Sequence, residues 1–236
     1  MAFLESLLFF GEAGRALAIA MLSALILVCA GHWARASRWL VSFCAGAALI
    51  LVCKLAFEVN GWYAPALGIY SVSGHAMLTT AAYPVLFMLL GAAVSPRAAR
   101  VGLVAGLVLA LMVAIALVVG HYHTFTETLL GAAIGLGIAL MNARGQVVGR
   151  AAVVTALSIV CLVSVTLDPR TVVRALRGTV VALPGKWLDD DQRYDRLITA
   201  DPVTGRSQVQ VLLPLRDAME KERRQHVPGV KEGGPS

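Results

Sequence analysis

Lys54, His75, His123 and Glu127 are the side chains whose types and spacing could do chemistry in this sequence. Each is titratable and each lies at the end of an apolar run, where a charge without a use or a partner is costly. His123 and Glu127 stand four residues apart and share one face of a helix. The carboxylate can then take the proton of one ring nitrogen while the other nitrogen faces a substrate. That is the arrangement of an activated histidine, nucleophile or base. His75 follows Ser71, Val72, Ser73 and Gly74, a small-residue entry to a helix whose free amides and positive dipole end favour an anion, and a phosphate suits them. Lys54, a compact ammonium on a long stem, can reach the same anion from a neighbouring run. His121 and His32 read as helix-end residues bonded locally, and Glu58 as a solvated loop residue.

The elements that must position these groups are membrane helices. The mean hydropathy is +0.75, and 58% of the 236 residues are hydrophobic against 14% charged, well under the roughly 25% charged content of soluble domains. Runs approaching the roughly 20 residues a bilayer requires lie near Ala16 to Gly31, Trp39 to Phe57, Gly74 to Val94, Val101 to Val119, Thr128 to Met141 and Ala151 to Leu167. The expected fold is an all-α integral membrane protein of about six transmembrane helices over residues 16–167, after an amphipathic segment 1–15 and before a polar tail 168–236. Only 8 of the 20 basic and 4 of the 14 acidic residues precede Asp168, so membrane part and tail are different materials. No cleavable signal peptide is expected, because Glu5 and Glu12 interrupt the start.

Loop charge sets the orientation. Arg35 and Arg38, Arg97 and Arg100, then Arg144 and Arg150 occupy alternate loops, which the positive-inside bias assigns to the cytoplasm. The four reactive side chains then fall on the external side, with Trp62, Tyr63, Tyr70 and Tyr122 at that interface. The net charge of +6 does not point to nucleic acid, since these arginines are paired in short loops instead of sharing a face. Cys29, Cys44, Cys53 and Cys161 read as buried free thiols, and Gly131, Gly135 and Gly137 as points of close helix packing. In the tail, residues 172–180 have the spacing of an amphipathic helix, and Arg196 to Ala200 with Gln208 to Leu213 read as a hairpin around Asp201, Pro202 and Gly205. A charged helix follows from Arg216 to His226, and the last residues are expected to be disordered. If the last apolar run crosses the bilayer, this tail is external.

These residues resemble the motifs of the type 2 phosphatidic acid phosphatase superfamily, whose first motif is Lys, six residues, Arg-Pro. The second is Pro-Ser-Gly-His, and the third is Ser-Arg, five residues, His, three residues, Asp. This sequence keeps Lys54 but has Gly61 and Trp62 in place of Arg-Pro. It reads Val72, Ser73, Gly74, His75 for the second motif. For the third it keeps His123, carries Glu127 for the aspartate, and has Ala116 and Leu117 in place of Ser-Arg. Order and spacing fit over about Trp39 to Met141, while the lysine motif closes the second run instead of the usual third.

The resemblance implies a phosphatidic-acid-phosphatase-like bundle and a lipid phosphate or diphosphate phosphatase that works through a phosphohistidine. In that reading His123 attacks phosphorus, Glu127 orients it and His75 protonates the leaving alcohol, while Lys54, Ser73 and Gly74 hold the phosphoryl oxygens. No metal or cofactor is implied. The expected partners are a lipid phosphate substrate and membrane lipids, with no nucleic acid, and the expected location is a bacterial inner membrane with the site facing the periplasm or exterior. The alternative is a catalytically inactive member that binds an anionic lipid head group or scaffolds a partner through its tail. A transporter is disfavoured by the lack of Pro-broken paired spans.

Overall fold

The structure is a computed structural model that describes residues 2–143, 148–166, 193–200 and 207–214. Among the described residues, seven α-helices run in order: α1 Ala2–Gly11, α2 Ala13–Cys29, α3 Trp33–Asn60, α4 Gly74–Ala92, α5 Pro96–Val119, α6 Phe125–Asn142 and α7 Arg150–Thr166. Two strands follow, β1 Asp195–Ala200 and β2 Ser207–Leu212. Among the described residues α3, α4, α5 and α6 are long and apolar enough to cross a bilayer, whereas α2 and the apolar part of α7 are shorter. At 17 residues α2 spans only about 26 Å, less than a hydrocarbon core of about 30 Å. Among the described residues, length and composition therefore describe an integral membrane bundle with four helices of bilayer length and two shorter apolar ones.

Local sequence explains where these helices start and stop. The Ser73 hydroxyl oxygen accepts the Ala76 N–H and that of Ser95 accepts the Ala98 N–H, so each caps its helix, and Pro96 opens α5 where no N–H is needed. Thr124 and Glu127 form a reciprocal capping box on α6. The α3 helix extends beyond its apolar stretch at both ends and takes in Arg35, Arg38 and Glu58. Polar residues remain helical there because the bilayer, not the backbone, sets the length of an apolar run. It stops at Gly61, whose φ of 62° is left-handed.

The centre of the bundle is α4, which packs on α2, α3, α5 and α6. Its contact with α6 is backbone to backbone: a Cβ on Gly131 would stand 2.2 Å from the Ser73 carbonyl oxygen, and one on Gly135 would stand 2.4 Å from that of Met77. Gly137 meets nothing within 4 Å and is not part of that seam. Trp39 fills the core between α2 and α3, its indole N–H donating to the Ala20 carbonyl at 2.9 Å. The thiols are free but not buried, since Cys44 and Cys161 lie on exposed helix faces and Cys29 and Cys53 are half-buried. In a membrane bundle that outward face meets lipid, which solvates a thiol as readily as a core does.

The hairpin expected in the tail is present: β1 and β2 pair antiparallel from Asp195 opposite Leu212 to Ala200 opposite Ser207. The amphipathic helix expected at 172–180, the charged helix expected at 216–226 and the C-terminal residues lie outside the described residues.

Candidate active site

Lys54 near the end of α3, Gly74 and His75 at the start of α4, and His123 just before α6 line one cavity of about 400 Å³. The alternation of the helices places this cavity at one end of the bundle, opposite the end where Arg35, Arg38, Arg97, Arg100 and Arg150 open α3, α5 and α7. The His75 and His123 rings lie 6.4 Å apart, centroid to centroid. That spacing leaves room for a small group between them.

Behind His123, Glu127 is fully buried. Its Oε2 lies 3.0 Å from His123 Nδ1 and accepts the Thr124 N–H at 3.2 Å. Its Oε1 accepts the N–H groups of Ser71 at 2.7 Å and Tyr70 at 2.9 Å. Burying a carboxylate requires that its lone pairs be filled, and the loop between α3 and α4 fills them. A short 3₁₀ turn, Pro65–Leu67, and the bridge between Ala64 and Ile69 fold that loop back over α6, with the Gly68 carbonyl held by the Thr124 hydroxyl at 2.7 Å.

The remaining expected site residues are placed as follows. Ser73 is fully buried, its hydroxyl oxygen capping α4 and its N–H donating to the Glu127 carbonyl at 3.2 Å, so it stands behind the cavity wall instead of in it. The Lys54 side chain is 54% exposed, and its ammonium pairs with Glu58 at 3.4 Å. Glu58 is therefore a cavity residue in the last turn of α3, not a loop residue. His121 takes a left-handed conformation, φ 57°, in the turn before α6 and does not line the cavity.

No particular tail residue was expected at the site from the sequence. Tyr194, Asp195 and Arg196 close one side of the cavity. The Tyr194 N–H donates to the Glu58 carbonyl at 3.0 Å. Arg196 pairs with Glu127 through Nη1, and its Nη2 lies 3.0 Å from His123 Nδ1. The alternation of residues 196–200 marks a strand, but nothing local in it indicates what the strand docks on.

A second cavity of about 520 Å³ adjoins the first at Ser71 and Val72. Its wall includes Cys53, Ala56, Trp62, Tyr63, Ile69 and Tyr70, with the Tyr63 and Tyr70 rings stacked at 5.5 Å. It is an apolar, aromatic groove beside a polar pocket.

The arrangement offers an imidazole backed by a buried carboxylate, a second imidazole across a gap, an ammonium, and the amino end of a helix. Such a set can take up a phosphoryl group and transfer it to nitrogen. Comparison with known proteins bears on the same residues. Among curated proteins, an uncharacterised 22.5 kDa protein in the cps region of Klebsiella pneumoniae is 32% identical over 98 residues, 42% of this chain and 47% of that one. The chain thus spans about half the length of that relative, and no solved structure matches it. The family model of the PAP2 superfamily matches residues 58–147, which hold Ser73, Gly74, His75, His123 and Glu127 but begin just after Lys54. Residues 58–147 of this chain are thus similar to the PAP2 superfamily.

Proposed function

We propose that this protein is an extracytoplasmic membrane phosphatase for lipid phosphates or diphosphates, acting through a phosphohistidine. The observation that carries this reading is the 3.0 Å contact of His123 Nδ1 with a buried, fully bonded Glu127, facing His75 across one cavity.

With Nδ1–H donated to Glu127, the Nε2 lone pair of His123 attacks phosphorus, and the bond from phosphorus to the alkoxide oxygen breaks. His75 gives that oxygen its proton, so the lipid leaves as a neutral alcohol. His75, now a base, takes a proton from water as the water oxygen attacks the phosphohistidine. Inorganic phosphate is released and Nε2 regains its lone pair. Glu127 holds the imidazole in one tautomer and stabilises the cation that forms on it. Lys54 and the amino end of α4, kept in shape by the Ser73 cap, stabilise the equatorial oxygens.

The apolar groove at Ser71 and Val72 supports a lipid substrate, because a phosphate in the polar pocket leaves its apolar tail an adjoining aromatic surface. The arginine-bearing loops at the other end of the bundle support an external site, in a bacterium facing the periplasm.

The test is phosphate release from a panel of lipid phosphates and diphosphates by detergent-purified protein, with His123→Ala as control. Release that depends on His123 is expected. Release retained in His123→Ala overturns the mechanism, and lipid phosphate binding without turnover by the unaltered protein identifies an inactive head-group-binding member.

A further inference from the structure

We propose that the C-terminal hairpin completes the active site in cis, Arg196 supplying the guanidinium that binds the phosphoryl group. The proposal rests on the phosphatase reading of the pocket and adds to it a residue from outside the membrane bundle.

Charge is the first argument. Among the described residues, the charged side chains that line the cavity are Lys54, Glu58, Asp195 and Arg196, with Glu127 directly behind His123. Lys54 is already paired with Glu58. Without Arg196, three carboxylates would face a single ammonium, and a phosphate carrying up to two negative charges would meet a repulsive pocket. Arg196 is therefore the group that makes the pocket hospitable to an anion. Its side chain is 13% exposed, buried enough for its charge to act through little water.

Geometry is the second argument. A guanidinium carries five N–H donors in a planar fork. In Arg196 one is directed to Glu127, and Nη2 lies beside His123 Nδ1. The pairing with Glu127 holds the fork beside His123, and the other donors remain for an anion in the cavity that Arg196 lines. Lys54, on a flexible stem and half in solvent, offers no comparable two-point grip.

The seating of the hairpin points the same way. A Cβ on Gly61 would stand 2.8 Å from the Tyr194 ring. The ring occupies the space that any larger residue at 61 would fill, and the Tyr194 N–H is fastened to the Glu58 carbonyl. Position 61 is where the resemblance expects an arginine, and at position 117, where it expects another, Leu117 is buried beside Ala76 and Val113. The bundle thus lacks an arginine at both places, and the hairpin docks where one of them is missing and brings Arg196 in from two residues further on.

The experiment compares the full chain in detergent with its Arg196→Ala and Arg196→Lys variants. It measures turnover of phosphatidic acid in mixed micelles, binding of inorganic phosphate, and the thermal midpoint. Expected for Arg196→Ala are a fall in kcat/KM of about 10²- to 10³-fold, weaker phosphate binding, and partial rescue of turnover by added guanidinium. Rescue separates a chemical role from a structural one, because a free cation restores charge but not a fold. Arg196→Lys should recover only part of the loss. Turnover and phosphate affinity unchanged in Arg196→Ala overturn the proposal, as does faster turnover, which would make the hairpin a plug. If the unaltered protein releases no phosphate from any lipid, the phosphatase reading fails by itself and binding decides the role of Arg196. Phosphate affinity that falls in Arg196→Ala then supports it, and affinity that is absent or unchanged overturns it.

Discussion

Glu127 accepts the backbone N–H of Ser71 at 2.7 Å, and this bond ties the loop between α3 and α4 to the first turn of α6. The same carboxylate caps α6 through Thr124 and backs His123, so one side chain serves a loop, a helix end and an imidazole. Glu127→Gln keeps the shape but puts an amide N–H₂ where one set of donors now converges. Expected are a fall in turnover of at least about 10²-fold and a stability loss of about 1–3 kcal/mol, read by phosphate release and by thermal unfolding in detergent. Glu127→Asp withdraws the carboxylate by one methylene and should lower kcat by more than tenfold, since a misplaced base loses much of its effect. A fully active Asp variant would show that the loop follows the shorter side chain.

His75 as general acid predicts a dependence on the leaving group. His75→Asn should lower turnover of alkyl phosphates by about 10²- to 10⁴-fold. It should have much less effect on a nitrophenyl phosphate, whose leaving group needs no proton. The comparison is made in one preparation, and an equal loss on both substrates would give His75 a binding role instead.

Gly61 is tested by the methyl group it lacks. Gly61→Ala places a Cβ 2.8 Å from the Tyr194 ring and asks a residue with a side chain to hold φ at 62°. The backbone cost alone is about 1–2 kcal/mol. The expected result is release of the hairpin, read as faster proteolytic cleavage between α7 and β1 together with reduced turnover. Cleavage at the original rate would mean that the Tyr194 ring can move aside.

The seam between α4 and α6 makes a separate prediction. Gly131→Val would drive a side chain into the Ser73 carbonyl, 2.2 Å from the first added carbon, and force the two helices apart. Overpacking of this kind costs about 1–3 kcal/mol. A lowered thermal midpoint and lost turnover are expected together, because His75 and His123 are carried by these two helix starts. Gly137→Val, with open space around it, should leave both unchanged.

The sequence made the helix starts legible wherever a cap and an apolar run coincide. Gly74 opens α4 and Val119 closes α5 as the runs predict, and the four-residue spacing of His123 and Glu127 did bring the ring and carboxylate to 3.0 Å. The limits of α3 were not legible, because hydropathy registers the bilayer while the backbone bonds continue through Arg35, Arg38 and Glu58 to Gly61. Exposure of the cysteines escaped for a related reason: in a membrane bundle both faces of a helix are apolar, so composition does not distinguish core from lipid. The hairpin strands were legible from alternation and turn residues, yet Arg196 meets Glu127 across 69 positions. Contacts at such separation depend on three-dimensional complementarity, here a bare Gly61 under Tyr194, which no periodicity records.

The two histidines face each other across the gap from separate helix starts, and this bears on the handedness of the reaction. In the proposed course His123 enters from one side of phosphorus and the alcohol departs toward the other, where His75 stands. Water, delivered by His75, must come from the side the alcohol has vacated. Each displacement then turns the phosphorus centre inside out, and two of them restore its original configuration. A phosphate ester made chiral with oxygen isotopes and sulfur should therefore yield a product of retained configuration, and the lipid alcohol must clear the pocket before water can occupy its place.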